Sequence, residues 1–321
     1  MSTTKPTLVV FGATGQQGSS ILTTVLNHPT LSKKYSLRGI TRNTSSPKSR
    51  TLSSQGIQMV EANLDSPSSL PAALHNAHTV VLITETRYTA ELKAHEFTQA
   101  KNAADAAVSG GAQFLLFSTA AHAAKLWERG ATAAAVDQFD VKAEIEEYIR
   151  GLPVRSAFFA PGMFMSNFVG GMVPRKQEDG SYVVVGTNDP RTKIPVIETA
   201  ADSGAFVVPL LQDPEGMDGR VMYAAARFYT YEEMVGILSR VSGEVVRYVR
   251  VEGEVMQGFM PEEMGARMVA MMRFIDEAGY YGPGTEEKVR ETVALVEGKL
   301  TTFEEFAERY CKDLSALGSG H

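Results

Sequence analysis

The 321-residue sequence predicts an α/β fold, in which a doubly wound parallel sheet carries a smaller α/β lobe. Three observations predict this fold class. Short apolar runs alternate with segments of helical period over the first half of the chain. A glycine-rich turn at 12–18 separates the first apolar run from the first helical segment. From Gly162 onward, short strands between Gly- and Pro-rich turns replace the alternation.

Six apolar runs predict the strands of the main sheet, because each is short and rich in β-branched or aromatic residues. These runs lie at 7–12, 36–41, 57–62, 79–84, 113–118 and 154–160. Segments of helical period lie among them at 16–26, 92–108 and 137–150. The Ser- and Thr-rich stretch 43–54 is expected to be a loop.

The chain is expected to form two domains, 1–160 and 161–321, with an open alternative in which segments near 190–225 return to the first domain. In the second domain, Thr-x-x-Glu capping boxes predict two helix starts, at Thr230 and at Thr302. The helices predicted there lie at about 231–241, 256–278 and 303–314.

A repeat of five methionines falls within the second of these helices. Such a stripe is typical of a helix packed into a core, and it is also suited to lining a loose apolar pocket. Its members are spaced by four residues and are Met256, Met260, Met264, Met268 and Met272.

The composition excludes several classes of protein. Of the residues, 44% are hydrophobic and 21% are charged, which is typical of a soluble globular chain. No uncharged apolar run reaches about 18 residues, and the start of the chain lacks the features of a secretory signal. We therefore expect no membrane association and a cytoplasmic location, with the nucleus as an alternative. The single cysteine, Cys311, excludes an internal disulfide, and we expect no metal site.

The net charge of −6 is unevenly distributed. Residues 1–60 contain seven Lys or Arg and no Asp or Glu. An acidic total argues against direct nucleic-acid binding, which needs a basic face. The basic N-terminal segment can instead attract a small polyanion.

The state of association is expected to be a monomer or a homodimer.

The turn between the first strand and the first helix has the glycine spacing of a dinucleotide-binding loop. Such a turn lets the backbone approach a pyrophosphate and directs the helix N–H groups toward it. We therefore expect nucleotide binding here rather than a merely tight turn. The residues expected to contact the nucleotide are Gly12, Thr14, Gly15, Gln16, Gln17 and Gly18.

The residue after the second strand indicates which dinucleotide is bound. Proteins that prefer NAD usually carry an acidic residue there, whereas this chain has Arg42, followed by Lys48 in the next segment. A guanidinium binds a phosphate with two hydrogen bonds, so NADP(H) is the expected cofactor, against the alternative of a solvated surface arginine. Asn63 and Asp65 are candidates to contact the adenine edge, although Asp65 with Leu70 is also typical of an ordinary helix start. Thr84 is expected to line the same site.

Several segments together resemble the NmrA-like family of the atypical short-chain dehydrogenases/reductases, over nearly the whole chain. This resemblance implies a Rossmann-type NADP-binding domain at 1–160 and a smaller lobe for a substrate or partner at 161–321. Besides the glycine turn, the segments are 40–42, 116–118, 138–150 and 161–167.

In active relatives with the usual chemistry, a Tyr-x-x-x-Lys pair lies on this helix, with the tyrosine as the acid. Here Gln138 takes the tyrosine position and Lys142 is retained. A carboxamide is not an acid, so the usual mechanism is not expected. Tyr148 is no substitute, because six residues correspond to about 240° around a helix.

Two roles compete for Lys142 under the resemblance. In isoflavone-reductase-like relatives, a similar Phe-x-Val-Lys segment uses the lysine as the general acid/base. In regulatory NmrA-like proteins, the lysine only holds the ribose hydroxyls. A solvated lysine on an amphipathic helix is the third alternative.

Ser118 either polarises a substrate or ends its strand with a capped turn, and His122 is expected to be solvated.

Two functions are therefore expected. The first is an NADPH-dependent reductase of a small apolar carbonyl or conjugated substrate, in which Lys142 supplies the proton and Ser118 positions the acceptor oxygen. The second is a catalytically silent NADP(H) sensor that binds a regulatory protein such as a transcription factor. The first is favoured slightly, because the lysine lies in an isoflavone-reductase-like setting and the second lobe is rich in flexible apolar side chains.

Overall fold

The computed structural model describes residues 5–127 and 136–317 and contains the expected doubly wound parallel sheet. Seven parallel strands lie in the order β11-β6-β5-β4-β1-β2-β3. Their bounds are β1 Thr7–Val10, β2 Ser36–Thr41, β3 Gln58–Glu61, β4 Ala77–Leu82, β5 Phe114–Ser118, β6 Arg155–Pro161 and β11 Val221–Ala224.

Helices connect the strands and flank the sheets. Those that come before β11 are α1 Gln16–Asn27, α2 Leu31–Lys34, α3 Pro47–Ser54, α4 Leu70–Ala73, α5 Leu92–Ser109, α6 Ala123–Leu126, α7 Asp137–Arg150 and α8 Thr199–Gln212. Those that follow are α9 Tyr231–Ser242, α10 Gly253–Gln257, α11 Glu262–Ala278, α12 Thr285–Val293, α13 Phe303–Tyr310 and α14 Leu314–Leu317.

The alternation of side chains along β1 explains the two layers of helices on the sheet. Leu8 and Val10 pack on one face with apolar residues of α1 and α8. Val9 and Phe11 pack on the other face with residues of α5 and α7. Because both faces are covered, the central strands β1, β4 and β5 are mostly apolar. Because the strands are parallel, their carboxyl ends meet at a single edge.

The second lobe is built on two small sheets. In one, β10 pairs with β12 and β7, and in the other, β9 pairs with β13 and β8. Their bounds are β7 Met163–Phe164, β8 Arg175–Lys176, β9 Tyr182–Gly186, β10 Ile194–Ile197, β12 Arg227–Tyr229 and β13 Val246–Arg250. Both predicted capping boxes are confirmed, since Thr230 and Thr302 each exchange hydrogen bonds with the glutamate three residues on.

Three sequence expectations about helices were wrong. The stretch 43–54 contains α3, because Ser46 caps its first turn and Pro47 has the backbone angle of a first helical residue. The predicted helix 256–278 is broken into α10 and α11 before Pro261, which lacks an N–H group. The predicted helix 303–314 ends at Tyr310, and α14 follows as a separate turn.

The break before α11 also divides the methionine repeat. Met256 is buried on α10, and Met260 lies in the connection. Met264, Met268 and Met272 remain on α11, spaced by one turn each. The repeat is therefore not a single stripe, and three of its members share a helix.

Candidate functional site

The glycine turn closes tightly over the start of α1. Gly12 has a φ of +63°, which favours glycine, and a Cβ on Gly18 would lie 2.3 Å from the Gly12 carbonyl oxygen. Gly15 precedes α1, and no side chain caps this helix. The first turn also carries no acidic residue. The N–H groups and positive dipole end of α1 are therefore available to an anion.

A cleft of about 540 Å³ lies at the carboxyl ends of β1 to β4. Ligands of open α/β sheets bind at this edge. Nine of the residues expected to contact a nucleotide line the cleft: Gly12, Thr14, Gly15, Gln16, Gln17, Gly18, Arg42, Asn63 and Thr84.

Lys142 forms an ion pair with a carboxylate that the sequence interpretation missed. Its Nζ lies 2.5 Å from Glu96 Oε1 and 3.2 Å from the Thr84 hydroxyl. The Glu96 side chain is fully buried, whereas that of Lys142 is 19% exposed. Thr84 also donates to Glu96 Oε1 at 2.7 Å, and Thr86 donates to Oε2 at 2.8 Å. Lys142 is thus fixed beside a residue that lines the cleft.

The charge of Glu96 depends on these partners. Burial acts to raise the pKa of Glu96, but the Lys142 ammonium and the threonine hydroxyls outweigh it and hold this pKa below its ordinary value. The sequence does contain a signal for this residue. Glu96 falls on the buried stripe of α5, between Leu92 and Ala100, where an unpaired charge is not tolerated.

Ser118 lies at the end of β5 and is buried. Its hydroxyl donates to Gln17 Oε1 at 2.8 Å, so it is connected to the glycine turn. On the other side of the turn, Ser166 of the second lobe donates to Gln16 Oε1 at 3.1 Å. Both glutamines are therefore oriented by serines from neighbouring segments.

His122 is paired with a carboxylate, contrary to the expectation of a solvated side chain. Its Nδ1 lies 3.1 Å from Asp140 Oδ1, and its side chain is 15% exposed. The same Asp140 oxygen accepts from the Ala124 N–H. The carboxylate thus fixes the connection between β5 and α6.

Arg42 lies at the rim of the cleft with a replaceable partner. Its guanidinium is 3.4 Å from Glu85 Oε2, and both side chains are 62% exposed. Exposed pairs of this kind contribute about 0 to 1 kcal/mol, so a phosphate can displace Glu85. Lys48 is different, because it lies exposed on α3 and is not among the residues that line the cleft.

Asp65 is exposed and is not among the residues that line the cleft, and three donors contact its carboxylate. Gln99 Nε2, His95 Nε2 and Arg87 all contact its carboxylate. The Gln99 amide, together with the charge of Arg87 and the His95 contact, lowers the pKa of Asp65. Asn63 lines the cleft, and its Oδ1 accepts from the Asp65 backbone N–H at 3.0 Å. The two residues thus belong to one polar corner.

Helix α11 of the second lobe contacts α7 and the segment after β4. Gln138, one turn before Lys142, donates to the Arg267 carbonyl at 3.3 Å. The Tyr88 hydroxyl lies 3.7 Å from Met268 Sδ. Burial and the nearby Glu96 charge raise the pKa of Tyr88. Helix α11 therefore contacts Gln138, one turn before the retained lysine, and Tyr88.

Two further findings concern metals and membranes. Within residues 5–127 and 136–317, no group of three or more His, Cys, Asp or Glu side chains is arranged to hold a metal ion. None of the helices in these ranges combines the length and apolar character needed to cross a membrane.

The sequence matches known proteins along most of its length. The family described as the NmrA-like family matches residues 4–307. An NmrA-like family domain-containing oxidoreductase of Aspergillus flavus, lnaB, is 26% identical over 265 residues, which cover 77% of this chain and 76% of that protein.

Solved structures share the fold at lower identity. NmrA, a negative transcriptional regulator, in complex with NADP has a TM-score of 0.78 and 19% identity, covering 98% of both chains. The triphenylmethane reductase of Citrobacter sp. complexed with NADP(H) has a TM-score of 0.73 and 20% identity, covering 95% of this chain and 99% of that chain.

Proposed function

The chain belongs to the NmrA-like family, and from that premise we propose that it is an NADP(H)-dependent oxidoreductase. The glycine turn supports dinucleotide binding, because Gly12 and Gly18 keep Cβ atoms away from the start of α1. The fold neighbours determined with NADP or NADP(H), and relatives named as oxidoreductases, support the same proposal.

The cofactor would lie along the cleft with each charged part near a suitable group. The pyrophosphate would accept hydrogen bonds from the first N–H groups of α1. Arg42 would bind the 2′-phosphate in place of Glu85. Thr84 and Lys142 would hold the nicotinamide ribose at the other end. We keep Lys48 as a weaker phosphate contact, since it lies outside the cleft lining.

The reaction that we propose is reduction of a small apolar carbonyl or conjugated substrate. The cofactor would supply the hydride from its nicotinamide ring. Lys142 would donate the proton, directly or through a water, because Gln138 has no acidic proton. Ser118 would help to position the acceptor oxygen. Apolar residues near Met268 would cover the substrate and exclude water.

The observation that carries this proposal is the position of the Lys142 ammonium, which Glu96 and Thr84 hold, because Thr84 lines the cleft. We would measure NADPH oxidation with a panel of quinones, enones and triphenylmethane dyes. Lys142→Met should abolish turnover of any active substrate. Lys125→Met is the matched control, since Lys125 is an exposed lysine paired with Glu147. Retained turnover in Lys142→Met would contradict the mechanism.

A second candidate is a catalytically silent NADP(H) sensor that binds a regulatory protein. It is favoured by Gln138 in the tyrosine position and by the ion pair of Lys142, which suits a lysine that only holds ribose hydroxyls. Sensing requires that NADPH and NADP⁺ favour different conformations. Limited proteolysis with each form, together with no turnover across the panel, would support this function.

The location and state of association belong to the same proposal. A reductase would act in the cytoplasm as a monomer or a homodimer, and a regulator would also enter the nucleus. Size-exclusion chromatography with light scattering, and localisation of a tagged chain, test these two parts separately from catalysis.

A further inference from the structure

We propose that Gln99 selects the adenine ring of the dinucleotide, by accepting a hydrogen bond from its exocyclic amino group. This inference rests on the proposed function, because it assumes that a dinucleotide occupies the cleft. It assigns to Gln99 the base contact that the sequence interpretation gave to Asn63 and Asp65.

Gln99 combines burial with an unused acceptor. Its side chain is on α5, is only 5% exposed and lines the cleft beside Asn63 and Leu64. Its Oε1 is buried and has no hydrogen-bond partner within the described parts of the chain. A buried acceptor without a partner lowers stability, and a ligand donor in the cleft would remove that penalty.

Asp65 determines which end of the Gln99 amide is left without a partner. The Asp65 carboxylate is ionised and can only accept, so it must contact the amide nitrogen. Gln99 Nε2 donates to Asp65 Oδ1, while Arg87 lies 3.2 Å from Oδ2. His95 contacts Oδ1 at 2.8 Å. With Nε2 held in this way, Oε1 is the amide atom that remains without a partner.

The position of Gln99 fits the base rather than another part of the dinucleotide. The glycine turn would fix the pyrophosphate, and Arg42 would fix the 2′-phosphate on the adenosine ribose. The base then lies beyond the ribose, along the wall formed by Ala62, Leu64 and Gln99. Apolar side chains there can contact the ring faces, and Gln99 Oε1 can meet a donor on the ring edge.

Adenine offers a donor on that edge, whereas hypoxanthine offers a carbonyl oxygen. The test is to titrate the full-length protein with NADPH and with reduced nicotinamide hypoxanthine dinucleotide phosphate. We expect the hypoxanthine form to bind at least about fivefold more weakly. It would lose one hydrogen bond, and its carbonyl oxygen would face Gln99 Oε1, which is also an acceptor. Gln99→Met should reduce this ratio to nearly one. Gln113→Met is the matched control, because Gln113 is exposed at the opposite end of the sheet.

The ratio of the two affinities separates base selection from a structural role of Gln99. A variant that is merely less stable would weaken both ligands and leave the ratio unchanged, which would overturn the inference. Equal binding of both ligands by the unmodified protein would overturn it without any variant, while leaving NADP(H) binding intact. If neither ligand binds, the proposed function fails as well. Asp65→Asn is expected to lower the ratio too, because the Gln99 amide could then rotate.

Discussion

The ion pair between Glu96 and Lys142 is the most constrained contact at the scale of single residues. A fully buried carboxylate requires a counter-charge, and Lys142 is that charge. Lys142 therefore stabilises the fold by neutralising the buried Glu96 carboxylate, besides any role at the cofactor. Its substitution should affect folding and catalysis together, and pH distinguishes the two effects.

Lys142→Met should lower the free energy of unfolding by about 3 kcal/mol near pH 8, because Glu96 is left buried and unpaired. In the unmodified protein the pKa of Glu96 is lowered, so its stabilising contribution is present above its ordinary pKa and is lost as the pH falls below that value. In the variant, burial dominates and raises that pKa. The difference between the two proteins should therefore shrink as the pH falls from 8 toward 5.

Urea denaturation across this pH range measures the effect on stability. Adding Glu96→Gln to Lys142→Met should recover most of the loss at pH 8. Lys125→Met should cost less than about 1 kcal/mol, since its ion pair is exposed. An equal loss of stability at every pH would show that Glu96 is not the cause.

Arg42→Ala should weaken NADPH binding about tenfold to a hundredfold and leave NADH binding nearly unchanged. The reason is that only NADPH carries the phosphate that Arg42 would bind. Calorimetric titration of both cofactors measures this selectivity. Arg50→Ala is a suitable control, because Arg50 lies on the neighbouring helix α3 and donates to the Ser45 carbonyl. Equal weakening of both cofactors would argue against a phosphate contact.

The sequence interpretation identified those cleft-lining residues that a local pattern marks. The glycine turn and Arg42 follow strands at fixed spacings, so their place in the cleft could be predicted. Glu96 and Gln99 lie on α5, which follows β4, and packing rather than sequence spacing brings Gln99 to the cleft. Lys48 follows Arg42 closely in the sequence but is not among the residues that line the cleft, so its phosphate contact stays a prediction.

At the scale of elements, the glycine turn and α1 act as one unit. The clash that a Cβ on Gly18 would make is with backbone atoms of Gly12, which no rotamer can relieve. The turn must therefore open before any larger residue fits at position 18. Opening it would move the N-terminus of α1 away from the cleft.

Gly18→Ala should remove detectable NADPH binding at concentrations that saturate the unmodified protein. It should also lower the free energy of unfolding by about 1 to 3 kcal/mol through overpacking. Calorimetry and urea denaturation measure the two effects. Gly171→Ala serves as the control, because a Cβ there meets no atom within 4 Å. Normal binding by Gly18→Ala would mean that the turn tolerates rearrangement.

Element boundaries were predictable where a capping residue marks them and less so elsewhere. The capping boxes at Thr230 and Thr302 located two helix starts. Proline had two opposite consequences, since Pro47 begins α3 and Pro261 separates α10 from α11. Its effect depends on whether the preceding residues are already helical, which hydrophobic periodicity alone does not show.

At the scale of the whole molecule, the chain crosses between the two lobes more than once. After β7 and β10 have entered the second lobe, α8 returns to pack along α1, and β11 joins the sheet beside β6. Residues 199–224 thus complete the parallel sheet and its helical layer. From the sequence, the return of segments near 190–225 to the first domain was only an alternative. Strand partners that lie far apart in the chain leave no local signal in the hydrophobic periodicity.

A fragment of residues 1–160 should fail to unfold cooperatively, since β6 would lack β11 and α1 would lack α8. Far-UV circular dichroism in increasing urea compares the fragment with the full chain, and calorimetry tests whether it binds NADPH. We expect a broad transition without a plateau and no cofactor binding. A sharp transition together with binding would establish 1–160 as an independent domain.

The late return of β11 has a consequence for biosynthesis. The ribosome makes β1 about 200 residues before β11, which corresponds to roughly 10 to 40 seconds at ordinary rates of translation. During that interval the apolar surfaces that α8 and β11 will cover remain open on the nascent chain. We therefore expect a ribosome that stalls before residue 199 to hold an aggregation-prone intermediate.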